Sequence, residues 1–152
     1  MTDWQTPREL YELLDRLVGG FVLDAAADTN NHLHPKWYGP GSNLSTDAHN
    51  VPVWLSPAFC NPPYGRGIEK WLGKFIEQAK LGNTVMALLP ARTETRWWYD
   101  YVVPNSSIYF LVGRVPFIDP VRTKSSQPDH GSAVCKFGPN TRDGLVAWLD
   151  WR

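Results

Sequence analysis

The sequence predicts an α/β domain in three layers, with helices on both faces of a mainly parallel sheet. Apolar runs of strand length alternate with stretches of helical periodicity along the chain, which is typical of such sheets. Residues 84–89 are apolar at almost every position, as expected of a strand covered on both faces. The chain has 152 residues and a hydrophobic fraction of 43%, which fits one folded domain spanning residues 1–152.

The first predicted element is a helix near the N-terminus. Thr6 is a candidate cap, Pro7 suits the first helical position, and Glu9 stands three residues after the cap. Glycines at positions 19 and 20 end the pattern. The apolar residues with helical spacing are Leu10, Leu13, Leu14 and Leu17.

The remaining elements follow the same alternation. A buried strand at residues 21–23 leads into the polar segment 24–28, and residues 29–57 are irregular. Short strands are expected near residues 36–38 and at either 53–55 or 58–60. The later predicted elements are a helix at 68–80, strands at 84–89, 107–112 and 132–137, a helix at 93–102, a loop at 113–128, and a last helix capped by Asn140 that carries Leu145, Val146, Trp148 and Leu149.

Composition excludes several classes of protein. The 15 basic and 15 acidic residues cancel, so nucleic-acid binding would rest on a local basic patch. Cys60 and Cys135 lie far apart, and neither they nor the four histidines have metal-ligand spacing, so no metal site is expected. The chain shows neither a signal-peptide pattern nor an apolar run of about 20 residues, which predicts a cytoplasmic protein with reduced thiols.

Residues 59–65, with the sequence Phe-Cys-Asn-Pro-Pro-Tyr-Gly, predict a stiff loop at the end of a strand. Pro62 and Pro63 lack an N–H and fix φ, so they continue neither a central strand nor a helix interior. Similar polar stretches follow two other predicted strands, at residues 24–28 and 90–93. Since ligands bind outside the carboxyl ends of parallel strands, we expect the three stretches to line one crevice.

The proline loop suits a planar ring that carries an amino group. The side-chain carbonyl of Asn61 and the backbone carbonyl of Pro62 can accept hydrogen bonds from the amine, and Pro63 offers no competing N–H. Such bonds favour a tetrahedral nitrogen whose lone pair is available for attack, while Tyr64 can lie flat against the ring. Asp24 is a candidate acceptor for a ligand's amine or hydroxyl groups.

The order of these motifs resembles that of the phage-type DNA N6-adenine methyltransferases, which depend on S-adenosyl-L-methionine. The resemblance extends from about residue 4 to residue 137. It rests on Thr6-Pro7, residues 21–26, Asn43-Leu44 with Asp47, residues 59–65, Trp71 with Lys74, residues 88–93 with Trp97-Trp98, and residues 113–117.

The resemblance implies a Rossmann-like class I methyltransferase fold with an antiparallel edge strand, and methyl transfer to the N6 amine of adenine. Asn61, Pro62, Pro63 and Tyr64 would form the catalytic motif, in which Asn61 and Pro62 orient the amine and Tyr64 stacks on the base. The implied cofactor residues are Thr6, Pro7, Asp24, Ala25 and Ala26 near the methionine end and Asp47 near the adenosine. Alanines stand after Asp24 where many methyltransferases have glycines, and no acidic residue clearly ends a second strand.

The expected partner is DNA with its target adenine flipped out of the helix, in the cytoplasm of a bacterial host. Phe117 is a candidate for edge-on contact with the base, and residues 113–128 form a candidate target-recognition loop. Two alternatives remain open: methylation of RNA or of a protein glutamine, and an inactive module that binds nucleic acid. The basic residues that cluster around the proposed site are Arg66, Lys70, Arg92, Arg96, Arg114, Arg122 and Lys124, of which Arg66, Arg92 and Arg114 are taken as substrate-binding.

Overall fold

The computed structural model describes residues 4–119, 125–126 and 128–152. Short 3₁₀ and π-helical segments occur at Ala48–Asn50 and Trp98–Val102. None of the helices in the described ranges is long and apolar enough to span a membrane. The other elements are α1 (Arg8–Val18), β1 (Leu23–Asp24), β2 (Ala58–Cys60), α2 (Ile68–Lys80), β3 (Val85–Pro90), β4 (Ser107–Leu111), β5 (Phe117–Ile118), β6 (Ser125–Ser126), β7 (Ser132–Phe137) and β8 (Val146–Leu149).

A six-stranded sheet with the order β1, β2, β3, β7, β4, β8 separates two hydrophobic cores. Successive residues of a strand point to opposite faces, so β3 contributes to both cores. Its residues Val85, Ala87 and Leu89 pack in the core that contains Leu72 and Phe75 of α2. Met86 and Leu88 pack in the core that contains Leu10 and Leu14 of α1. The predicted three-layer α/β class is therefore confirmed.

The antiparallel strand had been expected at the edge of the sheet. In the structure it lies inside the sheet. β7 pairs antiparallel with both β3 and β4, while β1, β2 and β3 pair in parallel and so do β4 and β8. Five strands therefore run one way and β7 runs the other. The outer position is taken by β8, which the sequence pattern assigned to a helix.

The predicted last helix is wrong, because Val146–Leu149 forms β8. Its apolar residues fit both periods, but pairing with the free edge of β4 satisfies backbone groups that a helix would leave unpaired at that edge. Asn140 has a φ of 63°, which is left-handed and unlike the extended conformation of a helix N-cap. The preceding turn is tied to β4, since Arg142 N–H donates to Ser107 Oγ at 2.8 Å.

Other boundaries differ in smaller ways. The helix expected at residues 93–102 begins with a turn and contains the π-helical segment Trp98–Val102. The strand expected at residues 36–38 is a single parallel bridge between Asp24 and Trp37. Of the two alternatives, residues 58–60 form the strand. The loop expected at 113–128 contains β5, which pairs with β6 and bridges to Gln5; residues 120–124 and 127 lie outside the described residues.

Gln78 is a polar residue that α2 buries completely. Its Oε1 accepts hydrogen bonds from the backbone N–H of Trp54 at 2.8 Å and from Asn83 Nδ2 at 3.0 Å. Its Nε2 donates to the carbonyl of Pro52 at 2.9 Å. One side chain therefore fastens the segment before β2 to α2 and to the turn after it.

Gln78→Leu is expected to lower the free energy of unfolding by about 2–4 kcal/mol, because the buried Trp54 N–H loses its acceptor and the bonds to Asn83 and Pro52 are lost as well. Urea unfolding measures the change, with Lys80→Ala at an exposed position of the same helix as the control. A loss below about 0.5 kcal/mol would mean that water replaces these bonds.

Candidate functional site

The strand register brings the predicted polar stretches to one edge of the sheet. Asp24 at the end of β1 pairs with Phe59, and Cys60 at the end of β2 pairs with Ala87 of β3. The segments that follow Asp24 and Cys60 therefore emerge side by side. They line two cavities on either side of the proline loop, where one crevice had been expected.

The first cavity has a volume of about 310 Å³, within the range of small-molecule sites. Asn61 and Pro63 of the proline loop form one side of it, and Trp71 of α2 contributes an aromatic wall. The Trp71 ring is itself packed against His49, with 4.3 Å between the ring centroids. The other lining residues are Ala25, Ala26, Ala27, Asp28, Asn31, Tyr38, Gly39, Pro40, Thr46, Asp47 and Ala48.

A close backbone approach shapes the floor of the first cavity. Ala27 N–H donates to the carbonyl of Tyr38 at 3.0 Å, and a Cβ placed on Gly39 would lie 1.7 Å from the Ala27 carbonyl oxygen. Gly39 has a φ of 144°, so both its space and its backbone conformation require glycine. The close packing of the segment after β1 against the segment at residues 38–39 therefore depends on Gly39.

Asp24 is buried in a small recess beside the first cavity, which Thr6, Ala26 and Asn61 also line. Its Oδ2 accepts a hydrogen bond from Leu33 N–H at 2.9 Å, whereas its Oδ1 has no hydrogen-bond partner among the described residues. Burial raises the pKa of Asp24 from 3.8 to about 7, against the lowering effect of backbone hydrogen bonds from Leu33 and Ala26. An unpaired buried carboxylate oxygen is a natural acceptor for a ligand's ammonium group.

Asn61 is oriented by the N-terminal segment. Its Nδ2 donates to Thr6 Oγ1 at 3.3 Å and lies 3.5 Å from the carbonyl of Trp4. A carbonyl can only accept, so the NH₂ side of the amide must face this segment, and Oδ1 remains available as an acceptor. The structure thus corrects the capping prediction for Thr6: Pro7 is the N-cap of α1, and no side chain makes a capping hydrogen bond there.

Tyr64 is the aromatic residue that the proline loop contributes to the lining of the second cavity. Its hydroxyl donates to the carbonyl of Leu88 in β3 at 3.1 Å, and burial raises the pKa of this hydroxyl well above its ordinary value. The ring meets Phe117 edge-on at 6.5 Å between centroids and His130 at 6.3 Å. These contacts fix the plane of the Tyr64 ring.

The second cavity has a volume of about 610 Å³ and joins the proline loop to the end of β3. Arg66 and Arg92 are exposed residues in its lining, and Arg92 forms an ion pair with Glu94 at 3.0 Å. The other lining residues are Tyr64, Gly65, Gly67, Ile68, Glu69, Pro90, Thr95, Trp97 and His130.

Most of the predicted site residues gather around these spaces. Ala25, Ala26 and Asp47 line the first cavity, and Asp47 also caps the 3₁₀ turn by accepting from His49 N–H at 2.9 Å. Pro7 and Pro62 are buried, and neither is part of the lining of the three spaces.

Several of the predicted basic residues lie outside the cavity linings. Arg114 is exposed and lies outside the cavity linings, although the nearby Phe117 reaches Tyr64. Arg96 is paired with Asp100 at 3.0 Å. Arg122 and Lys124 lie outside the described residues.

Sequence reasoning missed several residues of the two cavities. Asn31 and Tyr38 belong to the irregular segment at residues 29–57. The expected strand near residues 36–38 was the one signal for Tyr38, which is bonded to Asp24 and Ala27 through the backbone. Trp97 and His130 come from separate segments that meet only in the folded chain. Among the described residues, no cluster of side chains could hold a metal ion.

A mainly parallel six-stranded sheet with an Asn-Pro-Pro-Tyr loop between two cavities defines the class of Rossmann-like methyltransferases. A family model described as DNA N-6-adenine-methyltransferase (Dam) matches residues 2–141, and the chain belongs to this family. A DNA N-6-adenine-methyltransferase of Escherichia phage T1 is 37% identical over 99 residues, which cover 64% of this chain. The matched part is 39% of the length of that relative, so the chain corresponds to about two fifths of it.

Asp24 gives the apoprotein a specific dependence of stability on pH. The folded-state pKa of about 7 exceeds the ordinary value of 3.8, so the native state binds a proton more tightly between these two values. The Asp24 contribution to stability is therefore greatest at low pH and falls as the pH rises from about 4 to about 7. Asp24→Asn removes this titration.

We expect the variant's advantage in free energy of unfolding over the wild type to grow by about 2–3 kcal/mol from pH 5 to pH 8. Denaturant titrations at pH 5, 8 and 9 measure it, and the values at pH 8 and 9 should agree closely because both states are then largely ionised. An advantage that is the same at pH 5 and pH 8 would contradict an elevated pKa for Asp24.

Proposed function

We propose that this protein transfers a methyl group from S-adenosyl-L-methionine to the N6 amine of adenine in DNA. The observation that carries the proposal is the loop Asn61–Tyr64, which lies between two cavities in a chain of the Dam family. One cavity suits a cofactor and the other a base. Their shared wall carries the groups that would hold the amine.

The loop prepares the amine by accepting its hydrogens. Asn61 Oδ1 stays available because Thr6 holds the other end of the amide, and the Pro62 carbonyl is a second acceptor. With both amine hydrogens engaged, the nitrogen lone pair would leave conjugation with the ring and become available to the methyl group. The bond from carbon to nitrogen would form as the bond from carbon to sulfur breaks, which releases S-adenosylhomocysteine, and the methylated amine would then lose a proton to water. Positioning of this kind supplies much of the rate of a displacement, since the reacting atoms are held in near-attack geometry.

The first cavity and its recess fit S-adenosyl-L-methionine. When bound, this cofactor supplies a methyl group on a positively charged sulfur. Asp24 Oδ1 is the unpaired buried acceptor for the amine of its methionine part, next to Thr6, Ala25 and Ala26. Trp71, Tyr38, Asp28 and Asp47 line the remainder, where aromatic surfaces suit the adenine ring and carboxylates suit ribose hydroxyls.

The lining of the second cavity supports the proposal that the target base is flipped out of the helix. Tyr64 offers a fixed ring for stacking, and Phe117 meets that ring edge-on. Flipping a base from a duplex costs a few kcal/mol, which stacking on Tyr64 and the bonds to Asn61 and Pro62 would offset. The proposed DNA substrate and the relative from an Escherichia phage both support the proposal that the protein acts in the cytoplasm of a bacterial host.

The direct test supplies the protein with S-adenosyl-L-methionine labelled on its methyl group, together with DNA, RNA or a protein mixture. Label recovered as N6-methyladenine in DNA supports the proposal. Label on RNA or on glutamine would replace the substrate, and cofactor binding without any transfer would leave an inactive binding module. Calorimetry with the cofactor separates that last case from a protein that binds no cofactor.

Asn61→Ala is expected to reduce methyl transfer by a factor of about 10²–10³, because the amine loses an acceptor needed in the transition state. Cofactor affinity should change much less. Rates from labelled cofactor and calorimetric Kd values measure the two effects, with Asn105→Ala, which loses only a bond to the Tyr101 carbonyl, as the control. Near-normal transfer by Asn61→Ala would remove the centre of the proposed mechanism.

Arg66→Ala is expected to weaken binding to all DNA sequences by a similar factor. The slope of log K against log salt concentration should become shallower by about one, as for the loss of one phosphate contact. Arg96→Ala is the matched control, since Arg96 is paired with Asp100 and lies outside the cavity lining. Binding is measured by anisotropy at several salt concentrations. Equal effects of the two substitutions would remove Arg66 from the DNA-contacting surface.

A further inference from the structure

The second cavity holds another aromatic ring beyond Tyr64, namely that of Trp97. The neighbouring Trp98 is buried in the core, whereas Trp97 is half-buried and contributes to the cavity wall. The two indoles lie 5.9 Å apart at 60°. Trp97 therefore presents apolar surface to a space that the base stacked on Tyr64 would also enter.

The segment that carries Trp97 is anchored on both sides. Thr95 Oγ1 donates to the carbonyl of Arg92 at 2.7 Å and accepts from Trp98 N–H at 3.3 Å. Trp98 in turn stacks on Phe110 of β4, with 6.0 Å between centroids and 15° between planes. Because the backbone on both sides of Trp97 is held and its ring packs against Trp98, little conformational entropy is lost when a ligand stacks on that ring.

Charge around the cavity favours a phosphate-linked ligand. The lining contains the guanidinium groups of Arg66 and Arg92 and one carboxylate, that of Glu69. Arg92 is ion-paired with Glu94, but the pair is exposed and weak enough for a phosphate group to compete for the guanidinium. Aromatic platforms next to basic groups are the usual means of holding unstacked nucleotides.

The volume of the second cavity also favours a ligand larger than a single base. The second cavity measures about 610 Å³ against about 310 Å³ for the first, and it runs from Tyr64 to Trp97. We propose that Trp97 stacks on the nucleobase next to the target adenine, so that the cavity takes two successive unstacked nucleotides. This inference rests on the proposed function, because it assumes that Tyr64 holds a target base.

Two unstacked neighbours have a consequence for the substrate. A duplex must open at the target and at one adjacent position, which costs more than flipping a single base. Single-stranded DNA avoids that cost, so the enzyme should bind and methylate a single strand at least as well as the matching duplex. The identity of the neighbouring base should matter little, since every base offers a π-face to Trp97.

The experiment uses single-stranded oligonucleotides built around an adenine that the wild-type protein methylates. The nucleotide on the 5′ or the 3′ side of this adenine is either normal or abasic, and the Kd of each is measured by anisotropy with S-adenosylhomocysteine present. For one of the two sides, the missing base should weaken binding by the wild type about tenfold. In Trp97→Ala this abasic penalty should disappear, while Trp97→Phe should keep most of it.

Tyr99→Ala is the control, because Tyr99 is an exposed aromatic residue of the same helical segment that lies outside the cavity lining. It should leave the abasic penalty unchanged. Thermal unfolding shows whether each variant is folded. If Trp97→Ala is not folded, Trp97→Leu, which keeps an apolar side chain without a π-face, should lose the penalty in its place.

Two results would overturn the inference while leaving the proposed function intact. One is a wild-type protein that methylates adenine but binds normal and abasic strands equally. The other is a Trp97 variant that binds every oligonucleotide less well and keeps the full penalty, which indicates a purely structural role. A wild-type protein that methylates no adenine in DNA would refute both proposals together.

Discussion

Backbone hydrogen bonds between β2 and its parallel neighbours β1 and β3 hold Asp24, Asn61 and Pro90 near one edge of the sheet. Neither the recess around Asp24 nor the wall formed by Asn61 would exist without this register, because the two residues lie 37 positions apart in the chain. The two prolines then force the chain away from the sheet immediately after β2. The proline loop consequently stands between two cavities, and Asn61 and Tyr64 face different ones.

The N-terminal segment completes this arrangement from outside the sheet. Gln5 bridges to Ile118 of β5, and the adjacent Thr6 holds the amide of Asn61. The same segment therefore contacts both the proline loop and the strand that carries Phe117. A substitution in this segment would act on Asn61 through its orientation, and on Tyr64 of the second cavity through the Tyr64–Phe117 contact.

Asp24 is a buried carboxyl group with one oxygen that has no hydrogen-bond partner among the described residues. A buried carboxyl oxygen without a partner costs stability, and burial of the same group raises the pKa of Asp24. Natural sequences keep such costly groups mainly at functional sites. A cationic ligand group beside Oδ1 would favour the ionised carboxylate and remove the penalty, so ligand binding and the burial of Asp24 support each other.

The sequence by itself determined the α/β class, both helices, most strands, and the group of residues around the proline loop, because apolar periodicity and proline chemistry are local properties. Only the tertiary structure decided that residues 146–149 form β8 and that β7 lies inside the sheet, since pairing with β4 selects between two periods that the same apolar residues satisfy. It also decided that Thr6 holds Asn61 instead of capping α1, and that Trp97 and Tyr64 line the same cavity. These contacts join distant segments, and no local pattern encodes them.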